Sequence, residues 1–179
     1  PLPLRPSSIR LFVEQPFEVS FNLKPKMNPN INMNLTIGIL QCDSVLEPFQ
    51  PEFGNYPEMF QLLMRRINPD LAFRVYDVQK LELPTDINEC DSYITTGSRH
   101  SISENLDWIQ ALEQFLQRLN AVKKKCVGVC FGHQLIVRML GGMVEKSPRG
   151  WGIGIGHYPL LARASWMQPP QDSLAVVVS

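Results

Sequence analysis

Residues 126–134 read Cys-Val-Gly-Val-Cys-Phe-Gly-His-Gln, and no other stretch limits the fold so tightly. A short apolar run from Cys126 to Val129 ends at Cys130, which stands between Gly128 and Gly132. An apolar helical pattern follows in Leu135, Ile136, Val137, Met139 and Leu140. A G-x-C-x-G turn joining a strand to a helix is the thiol form of a nucleophile elbow. Flanking glycines let the chain turn sharply without a Cβ clash, so the cysteine projects alone at the strand's end. The helix that begins there aims the positive end of its dipole at the sulfur, which favours the reactive thiolate.

The pattern around the turn extends this strand-to-helix logic. Leu35–Leu40 reads as a buried strand, 41–53 as a loop containing Pro48 and Pro51, and 55–67 as a helix. That helix carries Met59, Phe60, Leu63, Met64 and Ile67 on one stripe and is stopped by Asn68-Pro69. Ala72–Val78 and Tyr93–Thr96 are the second and third strands. Residues 103–120 are an amphipathic helix with Leu106, Ile109, Leu112, Leu116 and Leu119 at spacings of three and four. Val127–Val129 is the fourth strand and 132–140 the helix after the turn, closed by Gly141-Gly142. Beyond it lie a ribbon, Arg149-Gly150-Trp151-Gly152-Ile153-Gly154-Ile155-Gly156, a run from His157 to Leu161, and an apolar strand from Leu174 to Val178. The ribbon's glycines alternate with a period of two, which suits a β-ribbon rather than a phosphate-binding loop; Trp151 would be its packing anchor. Alternating strands and helices followed by clustered short strands predict an α/β fold, a doubly wound, mostly parallel sheet with a small β-rich appendage.

Residues 1–33 differ. Six of the fifteen prolines fall there without any helical period, and the segment is expected to be a poorly ordered leader ahead of a domain spanning 34–179. Formal net charge is zero and 44% of residues are hydrophobic, so no electrostatic footprint for nucleic acid exists. The Lys123-Lys124-Lys125 run reads as a solvated connection. No long apolar run offers a membrane span and no signal-peptide pattern opens the chain. Cys42, Cys90, Cys126 and Cys130 show neither disulfide-framework nor zinc-knuckle spacing, which points to a cytoplasmic setting with no metal and no cofactor.

In a doubly wound sheet, sites form at the carboxyl ends of the strands. The loop Thr96-Gly97-Ser98-Arg99-His100-Ser101-Ile102-Ser103-Glu104 is therefore expected beside Cys130. There the backbone N–H groups of Gly97 and Phe131 can serve an oxyanion. Ser101 or Ser103 can also cap the following helix. A thiol nucleophile ordinarily needs a base, yet His100, His133 and His157 each read better as surface or supporting residues.

These residues resemble the class I glutamine amidotransferase family. Gly-Val-Cys130-Phe-Gly-His-Gln resembles its nucleophile motif, and Gly97-Ser98-x-x-Ser101-Ile102-x-Glu104 with Asp107-Trp108-Ile109 resembles its oxyanion loop and the next helix. Leu140-Gly141-Gly142-x-Val144 and Gly150-Trp151 also match. The stand-alone members similar to the amidotransferase domain of GMP synthase, and the γ-glutamyl peptidases, are the nearest in pattern; the Asp43–Tyr56 loop resembles the former group's single-domain relatives. The resemblance implies a flavodoxin-like sheet and attack by Cys130 on the side-chain amide of glutamine through a γ-glutamyl thioester. Gly97 and Phe131 would hold the oxyanion, Gln134 and Ser98 the substrate, and a synthetase in trans would take the ammonia. The family completes its triad with a His-x-Glu pair after a late strand. The sequence holds none, so the pair is expected just beyond Ser179, and the segment as it stands is expected to be inactive. A γ-glutamyl peptidase using the same thiol, or a non-catalytic scaffold, are the alternatives.

Overall fold

The computed structural model describes residues 35–148, 152–163, 167 and 170–178. The expected leader over 1–33 and the anchor at Trp151 lie outside the described residues. The chain divides into two compact units, with a boundary in the sequence between Gly142 and Met143.

In the first unit, four strands form one parallel sheet in the order β2-β1-β3-β4: β1 (Thr36–Gln41), β2 (Ala72–Asp77), β3 (Ser92–Thr95) and β4 (Cys126–Val127). Register runs Ile39 opposite Val75 and Ile94, and Ile94 opposite Val127. The central strands supply the buried core, with Ile39, Leu40, Tyr93 and Ile94 removed from solvent. From β1 the chain goes outward to β2 and returns on the other side as β3. The carboxyl ends of β1 and β3 therefore flank the point where the strand order reverses, where open α/β sheets place their sites. The fold is the doubly wound, flavodoxin-like sheet read from the sequence.

The loop after β1 contains more structure than expected. Glu47–Phe49 form a 3-10 turn that runs into a short helix α1 (Gln50–Phe53). Helix α2 (Tyr56–Arg65) starts at Asn55, whose Oδ1 accepts the Tyr56 N–H, while Glu58 reaches back to the Asn55 N–H at 3.0 Å in a capping box. The stripe expected on this helix is only half realised. Leu63 is 58% exposed, and Ile67, 86% exposed, falls past the helix end.

Helix α3 (Asp107–Ala121) begins four residues later than expected. Ser101–Glu104 form their own turn: the Glu104 N–H donates to the Ser101 carbonyl, and the Ser101 N–H donates to the Glu104 carboxylate. Neither Ser101 nor Ser103 caps the helix; the N-cap position is Leu106, with no side-chain bond. The helix buries Trp108, Ile109, Leu112, Phe115, Leu116 and Leu119. Each such side chain contributes on the order of 1.5–3 kcal/mol by leaving water. At its end Lys123 takes a left-handed φ of 58°, and the Lys124 N–H returns to the Leu119 carbonyl. The lysine run thus turns the chain into β4, as expected of a connection.

Helix α4 (Phe131–Met139) follows the turn at Cys130. It closes as expected: Gly141, at φ 82°, donates to the Arg138 carbonyl and Gly142 to the Val137 carbonyl.

In the second unit, β5 (Gly154–Pro159) and β6 (Ser173–Val178) pair antiparallel, the β-rich appendage. His157 lies within β5, where pairing begins at Gly154 opposite Val178.

Candidate functional site

The strand leading to Cys130 is shorter than the sequence suggests, and the reason is local. Gly128 and Val129 leave the ladder, and the Val129 N–H goes to the Thr95 hydroxyl at 3.2 Å. Cys130 then adopts φ 50° and ψ −107°. A non-glycine residue held there stores about 1–3 kcal/mol of backbone strain, and such strain persists only where the surroundings fix it. Here they do. A Cβ on Gly128 would lie 2.7 Å from both the Gly132 carbonyl carbon and the His133 nitrogen. A Cβ on Gly132 would lie 2.5 Å from the Thr95 Cβ. Gly128 lets the strand end pack backbone to backbone on the first turn of α4, and Gly132 lets that turn pack on the Thr95 side chain at the end of β3. The sulfur is left exposed at the N-cap position of α4.

The loop after β3 comes to the same place. A Cβ on Gly97 would stand 3.4 Å from the Cys130 Cβ and 3.9 Å from its Sγ, so the Gly97 backbone lies against the thiol. Phe131, whose N–H opens α4 where no intrahelical acceptor exists, is the adjacent residue. Gly97 and Phe131 thus both border Cys130. Gln134 sits on the first turn of α4, half-buried, its N–H bonded to the Cys130 carbonyl at 3.1 Å. The Ser98 hydroxyl accepts the His100 N–H at 3.2 Å and is engaged within its own loop.

Several residues that sequence reasoning passed over fix this loop. Asp43, 3% exposed at the carboxyl end of β1, accepts from the Arg99 backbone N–H at 2.8 Å, from Nε at 3.0 Å and from the other guanidinium nitrogen at 2.9 Å. Burial would raise the Asp43 carboxyl, but the hydrogen bonds from Arg99 and from the Ser44 N–H outweigh it and hold it below the usual carboxylate range. The Thr96 hydroxyl accepts the Cys42 N–H at 2.8 Å and donates to the Gly97 carbonyl at 3.0 Å. On the far side, Arg138 of α4 donates to the Ile102 carbonyl and pairs with Glu113 of α3. Trp108 packs on Phe131 with ring centroids 5.4 Å apart. The available signals were Asp43 just past a strand, Thr95-Thr96 at a strand end, and an arginine within the apolar run Leu135–Met139 of a helix.

The other titratable groups divide clearly. His100 holds Glu104 at 2.8 Å through Nδ1 and stacks edgewise on Trp108. The Glu104 carboxyl is lowered chiefly by that bond to His100. His133 is exposed on α4, and His157 belongs to the other unit. Burial pushes the Cys42 and Cys126 thiols up to about 12, so both stay protonated at ordinary pH. Among the described residues no cluster of metal ligands occurs and no helix is long and apolar enough to cross a membrane.

A parallel sheet in this order, with a strained cysteine turn at its carboxyl edge, defines an α/β protein of nucleophile-elbow type. Comparison with known proteins narrows this. No family model matches. The chain is 37% identical to γ-glutamyl peptidase 3 of Arabidopsis thaliana over 115 residues, 64% of this chain and 45% of that protein. It is 32% identical over 134 residues to a putative glutamine amidotransferase of Saccharomyces cerevisiae, covering 66% and 53% respectively. Over 96 residues it is 29% identical to the glutamine-hydrolysing GMP synthase chain of Ignicoccus hospitalis, covering 54% and 47%. The crystal structure of a glutamine amidotransferase from Thermotoga maritima superposes with a TM-score of 0.65 at 16% identity, over 80% of this chain and 59% of that one. One from Methylobacillus flagellatus gives 0.60 at 21%, over 80% and 54%. Proteins named as glutamine amidotransferases thus stand both among its relatives in sequence and among the solved structures that share its fold. It spans about half the length of the curated relatives it matches.

Proposed function

We propose that residues 34–179 form part of a glutamine amidotransferase-like domain in which Cys130 attacks the side-chain amide of glutamine. The observation that carries this reading is the exposed Cys130, held at a left-handed φ with the Gly97 backbone against it. The thiolate adds to the amide carbon, and the resulting oxyanion is met by the N–H groups of Gly97 and Phe131. The C–N bond breaks, and the proton given up by the thiol leaves with the nitrogen as ammonia. Water then adds to the γ-glutamyl thioester, releasing glutamate and restoring the thiol. Gln134, on the turn that faces the thiol's own strand end, and Ser98 are the residues assigned to glutamine. Preorganised N–H donors at a developing oxyanion are worth about 10²–10³ in rate each. Ammonia goes to an acceptor, by analogy with the GMP synthase relative through a synthetase acting in trans.

A second reading rests on the similarity to γ-glutamyl peptidases. The same thiol and oxyanion donors would cleave a γ-glutamyl peptide bond, an amine leaving in place of ammonia. Release of ammonia from glutamine and of free amino acid from a γ-glutamyl dipeptide, compared in a chain that also carries the family's His-x-Glu pair and in its Cys130→Ala variant, separates them. The first reading expects glutamine to be the better substrate. Activity that survives Cys130→Ala overturns both, and a wild-type protein that turns over neither substrate supports a non-catalytic scaffold instead.

A further inference from the structure

The loop bearing Gly97 is fastened from one side by two consecutive residues at the carboxyl end of β1. Cys42 gives its N–H to the Thr96 hydroxyl at 2.8 Å, and the Thr96 N–H goes back to the Leu40 carbonyl at 3.0 Å. These bonds fix the residue before Gly97. Asp43 fixes the residue two places after it, through the Arg99 backbone N–H at 2.8 Å. The peptide that carries the Gly97 N–H is thereby bracketed between two anchors on a buried strand end.

Asp43 is built for this and for little else. Oδ1 accepts from the Ser44 N–H at 2.8 Å and the Arg99 guanidinium at 2.9 Å. Oδ2 accepts from the Arg99 N–H at 2.8 Å and Nε at 3.0 Å. Four donors converge on one carboxylate that is almost wholly buried, while the guanidinium end of Arg99 is largely in solvent, its side chain 66% exposed. An ion pair to an exposed arginine adds little by itself. A charge-assisted bond to a backbone N–H, by contrast, sets the orientation of a peptide.

We infer that Asp43 is a positioning residue for the Cys130 reaction, holding the Arg99 backbone N–H so that the Gly97 peptide presents its own N–H beside the thiol. This rests on the reading of Cys130 as the nucleophile. Asp43 touches neither the thiol nor Gly97; it acts by fixing the loop that carries one donor of the oxyanion pair. Displacing such a donor by about 1 Å costs on the order of 100-fold.

The test is Asp43→Asn, compared with Arg99→Ala, both made in a chain that carries the family's His-x-Glu pair and compared with that chain as wild type. Asparagine keeps the shape but offers one acceptor oxygen to four N–H donors, and its own N–H groups face them. Arg99→Ala removes both guanidinium bonds and leaves the backbone N–H on Asp43. Three quantities are read: kcat and KM for the γ-glutamyl amide, and the rate of Cys130 alkylation by iodoacetamide, a displacement that builds no oxyanion. The expected result is a fall in kcat of about tenfold or more in Asp43→Asn, with KM and alkylation rate changed less than about twofold. Arg99→Ala should lose about threefold or less in kcat. An Asp43→Asn protein with wild-type kcat overturns the inference, as does a parallel fall in alkylation, which marks general loss of structure. A tenfold loss in Arg99→Ala overturns it too, and this comparison decides the matter if Asp43→Asn does not fold. A wild-type protein with no amide hydrolysis overturns the function proposed for Cys130, a different failure from an active wild type with an equally active Asp43→Asn.

Discussion

Gly128→Ala is the sharpest steric perturbation of the turn. The added methyl would sit 2.7 Å from the Gly132 carbonyl carbon, 2.7 Å from the His133 nitrogen and 2.8 Å from the Gly132 oxygen. Non-bonded carbons rest at about 3.5–4.0 Å, so the first turn of α4 must retreat by roughly 1 Å. All three neighbours are backbone atoms, and no side-chain rotation relieves the clash. Forcing a methyl into a closed site costs about 1–3 kcal/mol, and a rigid helix end puts this case near 3. For a chain of this length each kcal/mol moves the melting midpoint by about 2–4 °C, so a fall of roughly 6–12 °C is expected. Gly97→Ala is the internal control, because its methyl meets Cys130 only at 3.4 and 3.9 Å, ordinary contact distances. That variant should melt within about 2 °C of the parent while its methyl slows alkylation of Cys130. Thermal unfolding followed by circular dichroism measures both. Equal midpoints for Gly128→Ala and the parent, or equal losses in the two variants, would refute the steric reasoning.

Three further outcomes follow from local structure. Lys123 holds a left-handed φ of 58° where glycine is at ease, so Lys123→Gly should raise stability by about 1 kcal/mol in denaturant unfolding. Asn55 caps α2 and also accepts the Val45 N–H at 2.9 Å, so Asn55→Ala should lower stability by about 1–2 kcal/mol in the same assay. The Cys42 and Cys126 thiols, raised by burial from an ordinary 9 to about 12, ionise in the unfolded chain before the folded one. Their contribution is complete below pH 9 and is lost as pH rises from 9 towards 12. Stability measured across that range should fall more gently in Cys42→Ala and Cys126→Ala than in the parent.

The parallel sheet was legible because each strand is a short apolar run closed by a turn signal, and Gly128-Val-Cys-Phe-Gly132 can be little but a strand-to-helix turn. Helix α3 was legible in its stripe but not in its start. Ser101, Ser103 and Glu104 carry the composition of an N-cap, and in the fold they spend it on a separate turn that shapes the loop beside Cys130. Leu63 and Ile67 obey helical spacing, yet one faces solvent and the other lies beyond the helix end, because periodicity describes a face without saying what covers it. The bonds from Asp43 to Arg99 and from Arg138 to Ile102 join residues far apart in sequence, and no local pattern announces them. Cys130 and Gly97 were legible as site candidates because their chemistry is local; the anchors that hold Gly97 against Cys130 are tertiary.

The most direct measurement is mass-spectrometric mapping of the adduct formed with 6-diazo-5-oxo-norleucine, a glutamine analogue that traps an attacking thiol. One adduct per chain is expected, on Cys130, slowed by added glutamine and absent from Cys130→Ser, with Cys42, Cys90 and Cys126 unmodified in the folded protein. An adduct on another residue, or labelling of Cys130 that glutamine does not slow, would contradict the assignment of Cys130 as the nucleophile of a γ-glutamyl amide reaction.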